Sequence, residues 1–415
     1  MTRSPIDAPD ATTRRVWLRG AASAAALCGP WRLWAAPAAA AAPRLLTVFL
    51  RGAYDALSVL VPYDEPLYHE LRPGLALARP DPASADAAVA LDGRWGLHPL
   101  LDASLGPLWA ARQLAFVPFA GTEFVSRSHF QAQDWIEFGQ PADGRPDGST
   151  GYLNRLLVEL QGHTEPAAAV ALTQTLPPAL RGSQPVANSP LTLRRGAAAD
   201  AGYESLLLAM YADHPYAALV RDGLGLRREI AAELREEMQA ASREALPAGG
   251  FALEAGRLGR LLREHPEYRL GFVDIGGWDT HAAQGAARGA LAGRLHALGS
   301  GLAALAEALG PREWERTVVV VLSEFGRTFR ENGSGGTDHG HGTALWLLGG
   351  PVRGGAVRGE QVGMRAADLH QDRDLPVVNE YRAMLAGLFG RLYGLSGQQV
   401  ARVFPGAQPV DLGLL

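Results

Sequence analysis

The sequence predicts an α/β fold with a mainly parallel central sheet flanked by helices. Three observations predict it: continuous runs of apolar β-formers, long helical stretches between them, and no hairpin turn signals joining them. Residues 45–50 (LLTVFL) form the first run, the pattern of an interior strand covered on both faces. Residues 72–97 are rich in Pro, Ala and Asp and read as a long surface excursion. Residues 114–119 (LAFVPF) are a second strand, which Pro118 is expected to end early. Residues 152–160 read as a helix and residues 168–172 as a strand. The stretch from about 196 to 265 carries long Ala, Leu, Arg and Glu runs with i,i+4 charge pairs, the mark of a helical insertion or cap. Strand character returns at residues 268–274, a long helix is expected over 284–309, and residues 317–322 (TVVVVL) give the strongest strand signal in the chain. No internal repeat is visible. No GxGxxG follows the first strand and no P-loop motif occurs, so a nucleotide-binding fold has no direct support.

Composition narrows the function. Of 415 residues, 47% are hydrophobic and 20% charged, enough for a sizeable core and incompatible with wholesale disorder. There is no Lys; the 39 basic residues are all Arg and face 43 acidic ones, for a net charge of −4. The basic excess of a general nucleic-acid binder is missing, so no nucleic-acid partner is expected. The single cysteine, Cys28, excludes an internal disulfide framework and a thiolate metal cluster.

Residues 1–42 read as an export signal and residues 43–415 as one domain. Arg14 and Arg15 precede a short Ala-rich apolar stretch, and small residues follow as cleavage sites. The run Thr13-Arg14-Arg15-Val16-Trp17-Leu18-Arg19 resembles the bacterial twin-arginine pattern. Residues 20–29 are too short to span a bilayer, which takes about 20 apolar residues. The expectation is a periplasmic or secreted protein with no stable membrane span, in contact with the twin-arginine translocase during export. Cleavage removes Cys28 and leaves a cysteine-free chain suited to an oxidising compartment.

Polar residues collect where strands end, the edge at which open α/β sheets bind ligands. Asp55 follows the first strand. Asp279 and His281 follow the Phe272 strand, and Glu324 and Arg327 follow the Val321 strand. A glycine-rich loop then carries Asp338, His339 and His341. Asp, Glu and His are hard or borderline donors, suited to a divalent metal such as zinc, manganese or calcium, with calcium favouring oxygen ligands. One or two ions of that kind would activate water or shield charge on a phosphoryl or sulfuryl group. The same residues in Gly-rich turns also serve as caps and turn formers, and a metal-free acid/base site is a further reading. Ser128 is a candidate nucleophile or an N-cap, and His129 a candidate base or ligand. Arg51 and Arg327 are candidate clamps for an anion. Trp278 either stacks on a sugar or covers its loop.

LTVFLRGAYDAL (46–57), SRSHFQAQDW (126–135), GGWDTH (276–281) and VVVLSEFGRTFRENGSGGTDHGHG (319–342), with the twin-arginine start, together resemble the DUF1501 family. That family is assigned to the alkaline phosphatase/sulfatase superfamily, whose members hold divalent metals and hydrolyse phosphate and sulfate esters. The resemblance implies an alkaline phosphatase-like fold, with Asp55, Asp279, His281, Asp338, His339 and His341 as metal ligands. Ser128, His129, Glu324 and Arg327 are the catalytic candidates. Phe325 stands where relatives often carry a ligating His, and Ser128 arrives late for the family nucleophile. The expected activity is metal-dependent hydrolysis of a phosphate or sulfate ester in the cell envelope, the substrate an anionic small molecule or an envelope polymer. The rival is a non-catalytic exported protein that binds a ligand or partner around a structural metal.

Overall fold

The computed structural model describes residues 42–141, 143, 148–161, 167–190, 210 and 241–415. The expected export signal, up to residue 41, and the insertion from 196 to 240, apart from Met210, lie outside the described residues. Six strands carry the main sheet: β1 (Arg44–Leu50), β2 (Leu114–Gly121), β3 (Ala168–Ala171), β4 (Tyr268–Gly276), β5 (Thr317–Ser323) and β6 (Thr343–Gly349). They lie side by side in the order β2-β6-β5-β1-β4-β3, and two-residue strands complete a ten-stranded sheet. β1 pairs in parallel with β4 and β5, and β3 pairs in parallel with β4. β6 is antiparallel to both of its neighbours, so the sheet is mixed. Among the described strands of this sheet, β6 alone runs against the rest. The carboxyl ends of β1, β2, β4 and β5 therefore share one edge with the amino end of β6.

Strand alternation makes the sheet two-faced. Leu46, Val48 and Leu50 of β1 point into one buried cluster, and Leu45 and Phe49 into another. The first is closed by α1 (Pro99–Ala110), α4 (Ala248–Glu264) and α5 (Ala290–Trp314). Between α1 and α4 in the chain come α2 (His129–Phe138) and α3 (Tyr152–Leu160). The second cluster is closed by α3, α6 (Tyr381–Tyr393) and α7 (Gly397–Val403). A mixed sheet between two helical layers is thus the observed fold.

Several local expectations change. β2 does not stop at Pro118 but continues to Gly121. Its register against β6 shifts between Thr343 and Leu345, and Phe119 has φ of 53°, so the proline sits in an irregularity that needs no N–H at that point. Residues 72–97 are not a free excursion: Leu75, Leu77 and Trp95 are buried, and Val89–Ala90 and Gly96–Leu97 join Leu60–Val61 in a small sheet. The long helix begins at Ala290, because Gly285 and Gly289 have φ of 78° and 125° and the Gln284 side chain is buried elsewhere. Its first part ends at Leu309, where Gly310 leaves helical geometry.

Arg51, just beyond β1, locks the edge together rather than clamping an anion. Its Nη1 lies 2.8 Å from Glu137 of α2, and its Nε lies 2.7 Å from Asp274 of β4. All three residues are buried. Removing one partner of a buried ion network leaves uncompensated charge. Arg51→Ala is therefore expected to lower the unfolding free energy by about 3–5 kcal/mol, read from urea denaturation.

Candidate metal centre

Three loops and one helix start deliver the donors. Gly276 and Gly277 end β4 and lead to Trp278, Asp279 and His281. Trp278 is fully buried, donates to the Ile275 carbonyl and packs edge-on against Tyr54, so it covers the loop from below. β5 ends at Ser323, and Glu324 and Arg327 follow. The loop before β6 carries Asp338, His339 and His341. His129 opens α2, whose N-cap is Ser128. Two glycines let these segments cross at backbone distance. A Cβ on Gly336 would overlap the His281 carbonyl group, and one on Gly340 would overlap the Arg327 backbone.

Asp279, His129, His281 and His339 converge. The Nε2 atoms of His129 and His281 each lie 2.9 Å from His339 Nε2. Asp279 Oδ1 is 2.9 Å from His281 Nε2 and 3.2 Å from His339 Nε2, and Oδ2 is 3.3 Å from His129 Nε2. The donor atoms of His129, Asp279 and His339 all lie within 4.8 Å of one another.

The outer ring nitrogens fix the tautomers. His129 Nδ1 donates to Glu324 Oε1 at 2.8 Å, His281 Nδ1 to Asp338 at 3.1 Å, and His339 Nδ1 to the Arg127 carbonyl at 2.8 Å. Each ring then turns its Nε2 toward the others and toward a carboxylate. Outer acceptors that orient imidazoles in this way are the usual support of a metal site. Asp279 Oδ2 is buried and makes no hydrogen bond. An orphaned carboxylate oxygen among inward-facing imidazole nitrogens fits a cation. The set can coordinate a divalent metal.

The remaining contacts support these donors. Arg327, fully buried, donates to Asp279 Oδ1 and to the Thr337 carbonyl. Glu324 accepts from Gly52 N, Gln133 and Ser323 as well as from His129. Phe325, which cannot ligate, stacks on His129 with ring centroids 4.9 Å apart. Burial works to raise the Asp279 carboxyl pKa, but the three imidazoles and Arg327 outweigh it and hold it far below the carboxylate range. Burial likewise acts to lower the pKa of His129, yet Asp279 and Glu324 outweigh it and push it up to about 9.

Other residues singled out from the sequence lie elsewhere. Asp55 does not join the group. Arg72 holds it at 2.6 and 3.1 Å, and Ser58 and Gln284 complete its shell. Its partner Arg72 carried no sequence signal. His341 faces His370 instead, with ring centroids 4.5 Å apart, and burial lowers its pKa to about 4. Asp338 reaches the centre through His281. The Ser128 hydroxyl accepts from Gln131 N and has no base beside it among the described residues.

The sequence pattern described as "Protein of unknown function (DUF1501)" matches residues 42–404, and the chain belongs to that family. No curated protein matches. Among solved structures, the chain is similar to a protein in the alkaline phosphatase superfamily from Vibrio parahaemolyticus, with 8% identity and a TM-score of 0.36. That match covers 85% of this chain and 66% of the other, so the chain spans just under two thirds of its length. It is also similar to Ps i-CgsB, with and without k-i-k-neocarrahexaose, at 11% and 10% identity and a TM-score of 0.36. Those matches cover 88% of this chain and 75% of the other.

The electrostatics predict a pH response. In metal-stripped protein the folded pKa of His129, about 9, lies above its ordinary value of 6.5. A raised pKa stabilises fully below the unfolded value and fades as pH rises through the folded one. The denaturation midpoint of stripped protein is expected to fall between about pH 6.5 and 9, and His129→Gln is expected to flatten that fall.

Proposed function

We propose that this member of the DUF1501 family is a metal-dependent hydrolase of phosphate or sulfate esters, acting in the cell envelope. One observation carries the reading: the inward Nε2 atoms of His129, His281 and His339 around the orphaned Asp279 Oδ2. His129, Asp279, His281 and His339 would hold the ion, and nitrogen-rich donors of this kind favour zinc or manganese over calcium. A cation bound there supplies Lewis acidity and makes water a nucleophile near neutral pH.

The chain's own groups set the rest. Glu324 and Asp338 keep the protons of His129 and His281 on the outer nitrogens, so both rings face inward as acceptors. Arg327 neutralises Asp279 on Oδ1 and leaves the buried Oδ2 as the free lone-pair donor. His129 and Asp279 are buried, while His281 and His339 side chains are 18% and 13% exposed, which leaves approach for a substrate on their side. An attacking serine needs a base within hydrogen-bond reach. Among the described residues Ser128 hydrogen-bonds to none, and its hydroxyl caps α2, which favours attack by water. Among the described residues no helix is long and apolar enough to cross a membrane. The twin-arginine start supports export.

The test is turnover of generic aryl phosphate and sulfate esters by full-length protein with and without chelation. Chelation is expected to abolish turnover and zinc or manganese to restore it. Asp279→Ala is expected to lose the metal held by this centre and activity together. Ser128→Ala is expected to keep turnover while losing about 1 kcal/mol of stability as a cap. Metal retention without turnover of any ester would instead favour the binding-protein reading.

A further inference from the structure

The loop that brings His339 to the centre leads on to a second group of donors. His341 is buried, and among the described residues its ring makes no hydrogen bond. Its imidazole lies against that of His370, with ring centroids 4.5 Å apart and planes tilted by 35°. His370 Nε2 is a buried atom with no hydrogen-bond partner, and so is Asp374 Oδ1. The Asp374 residue is 2% exposed.

The backbone presents these groups together. His370 and Asp374 exchange both main-chain hydrogen bonds, at 2.8 and 3.0 Å, so their side chains leave the same face of a tight turn. The turn is reached through Gln371 and Asp372, whose φ values of 55° and 53° are unfavourable for residues with side chains. Strain of that kind persists where the surroundings enforce it. Arg373 ties the turn to the loop by donating to the His339 carbonyl at 2.6 Å and to Asp374 Oδ2 at 2.9 Å. Asp374 Oδ1 is left bare.

We propose that His341, His370 and Asp374 bind a second divalent cation of the first-row transition class, at a site that shares no residue with the His129–Asp279–His339 centre. Two imidazole nitrogens and one carboxylate oxygen are a borderline donor set suited to such ions, and three protein ligands leave positions for water. The donors of the first centre already lie within 4.8 Å of one another. The donors of His341, His370 and Asp374 stand further apart than that, and the two rings, which no hydrogen bond holds among the described residues, would turn to complete the set. The proposal goes beyond the hydrolase reading and does not depend on it.

The experiment is a metal count on the full chain. Protein stripped with a chelator is titrated with Co²⁺, bound metal is measured by elemental analysis and visible absorption, and circular dichroism checks the fold of each variant. The expected result is two equivalents for the wild type and one for His370→Ala, for Asp374→Asn and for His129→Ala. If His370→Ala fails to fold, Asp374→Asn, which keeps the side-chain shape, carries the test with an expected loss of about 10-fold or more in affinity for one equivalent. Two equivalents retained in the folded His370 and Asp374 variants overturn the proposal. So does a wild type that binds no metal, or one equivalent that His129→Ala removes. A single equivalent that survives His129→Ala and is lost in His370→Ala would uphold this site and defeat the first centre.

Discussion

Asp279 is the constraint on which the rest of the site depends. It is a carboxylate 1% exposed, placed where three imidazoles turn their lone-pair nitrogens toward it. Buried acceptors crowded together must be met by positive charge, whether protons or a cation. Arg327 supplies one unit on Oδ1. The outward protons of the rings are already committed to Glu324, Asp338 and the Arg127 carbonyl. Oδ2 is approached by His129 Nε2 at 3.3 Å and makes no hydrogen bond.

A second buried layer keeps that arrangement in place. Gln284 donates to Asp55 at 2.7 Å and accepts from Thr280 and Thr337 at 2.7 and 3.0 Å. Thr337 in turn accepts from Arg327 Nε at 3.2 Å. Arg72 donates to Asp55 from Nη1 and Nη2, to the Thr328 carbonyl also from Nη2, and to the Phe329 carbonyl from Nε. Asp55, which follows the first strand, thus sits two hydrogen-bonded residues behind Arg327, with its charge balanced by Arg72. Networks with every member satisfied hold one geometry, and partly satisfied ones do not.

Much of this was legible in the sequence, and for physical reasons. Apolar β-former runs mark strands covered on both faces, which is why β1, β2, β3, β4 and β5 could all be read from their residues. β6, TALWLLG, was not: Ala, Leu and Trp suit a buried helix or a strand equally, and its entry from a Gly-rich loop adds no period. Asp279, His281, His339 and His129 stood out because polar residues clustered after strands or at a helix start. The separation of Asp55 and His341 from that group did not stand out. It depends on Arg72 and on His370, which are distant in sequence and carry no local mark. The early end expected at Pro118 failed because a bulge absorbs the missing donor.

The position of β1 has a consequence for how the chain reaches this state. The first described strand is central, and Leu45 pairs with Leu270 on one side and with Val318 on the other. Neither neighbour exists until most of the polypeptide has been made. Closing such distant pairings is slow, and an unpaired apolar strand is exposed to aggregation while it waits. The strand made earliest among the described residues thus stays unpaired until the sheet is assembled around it.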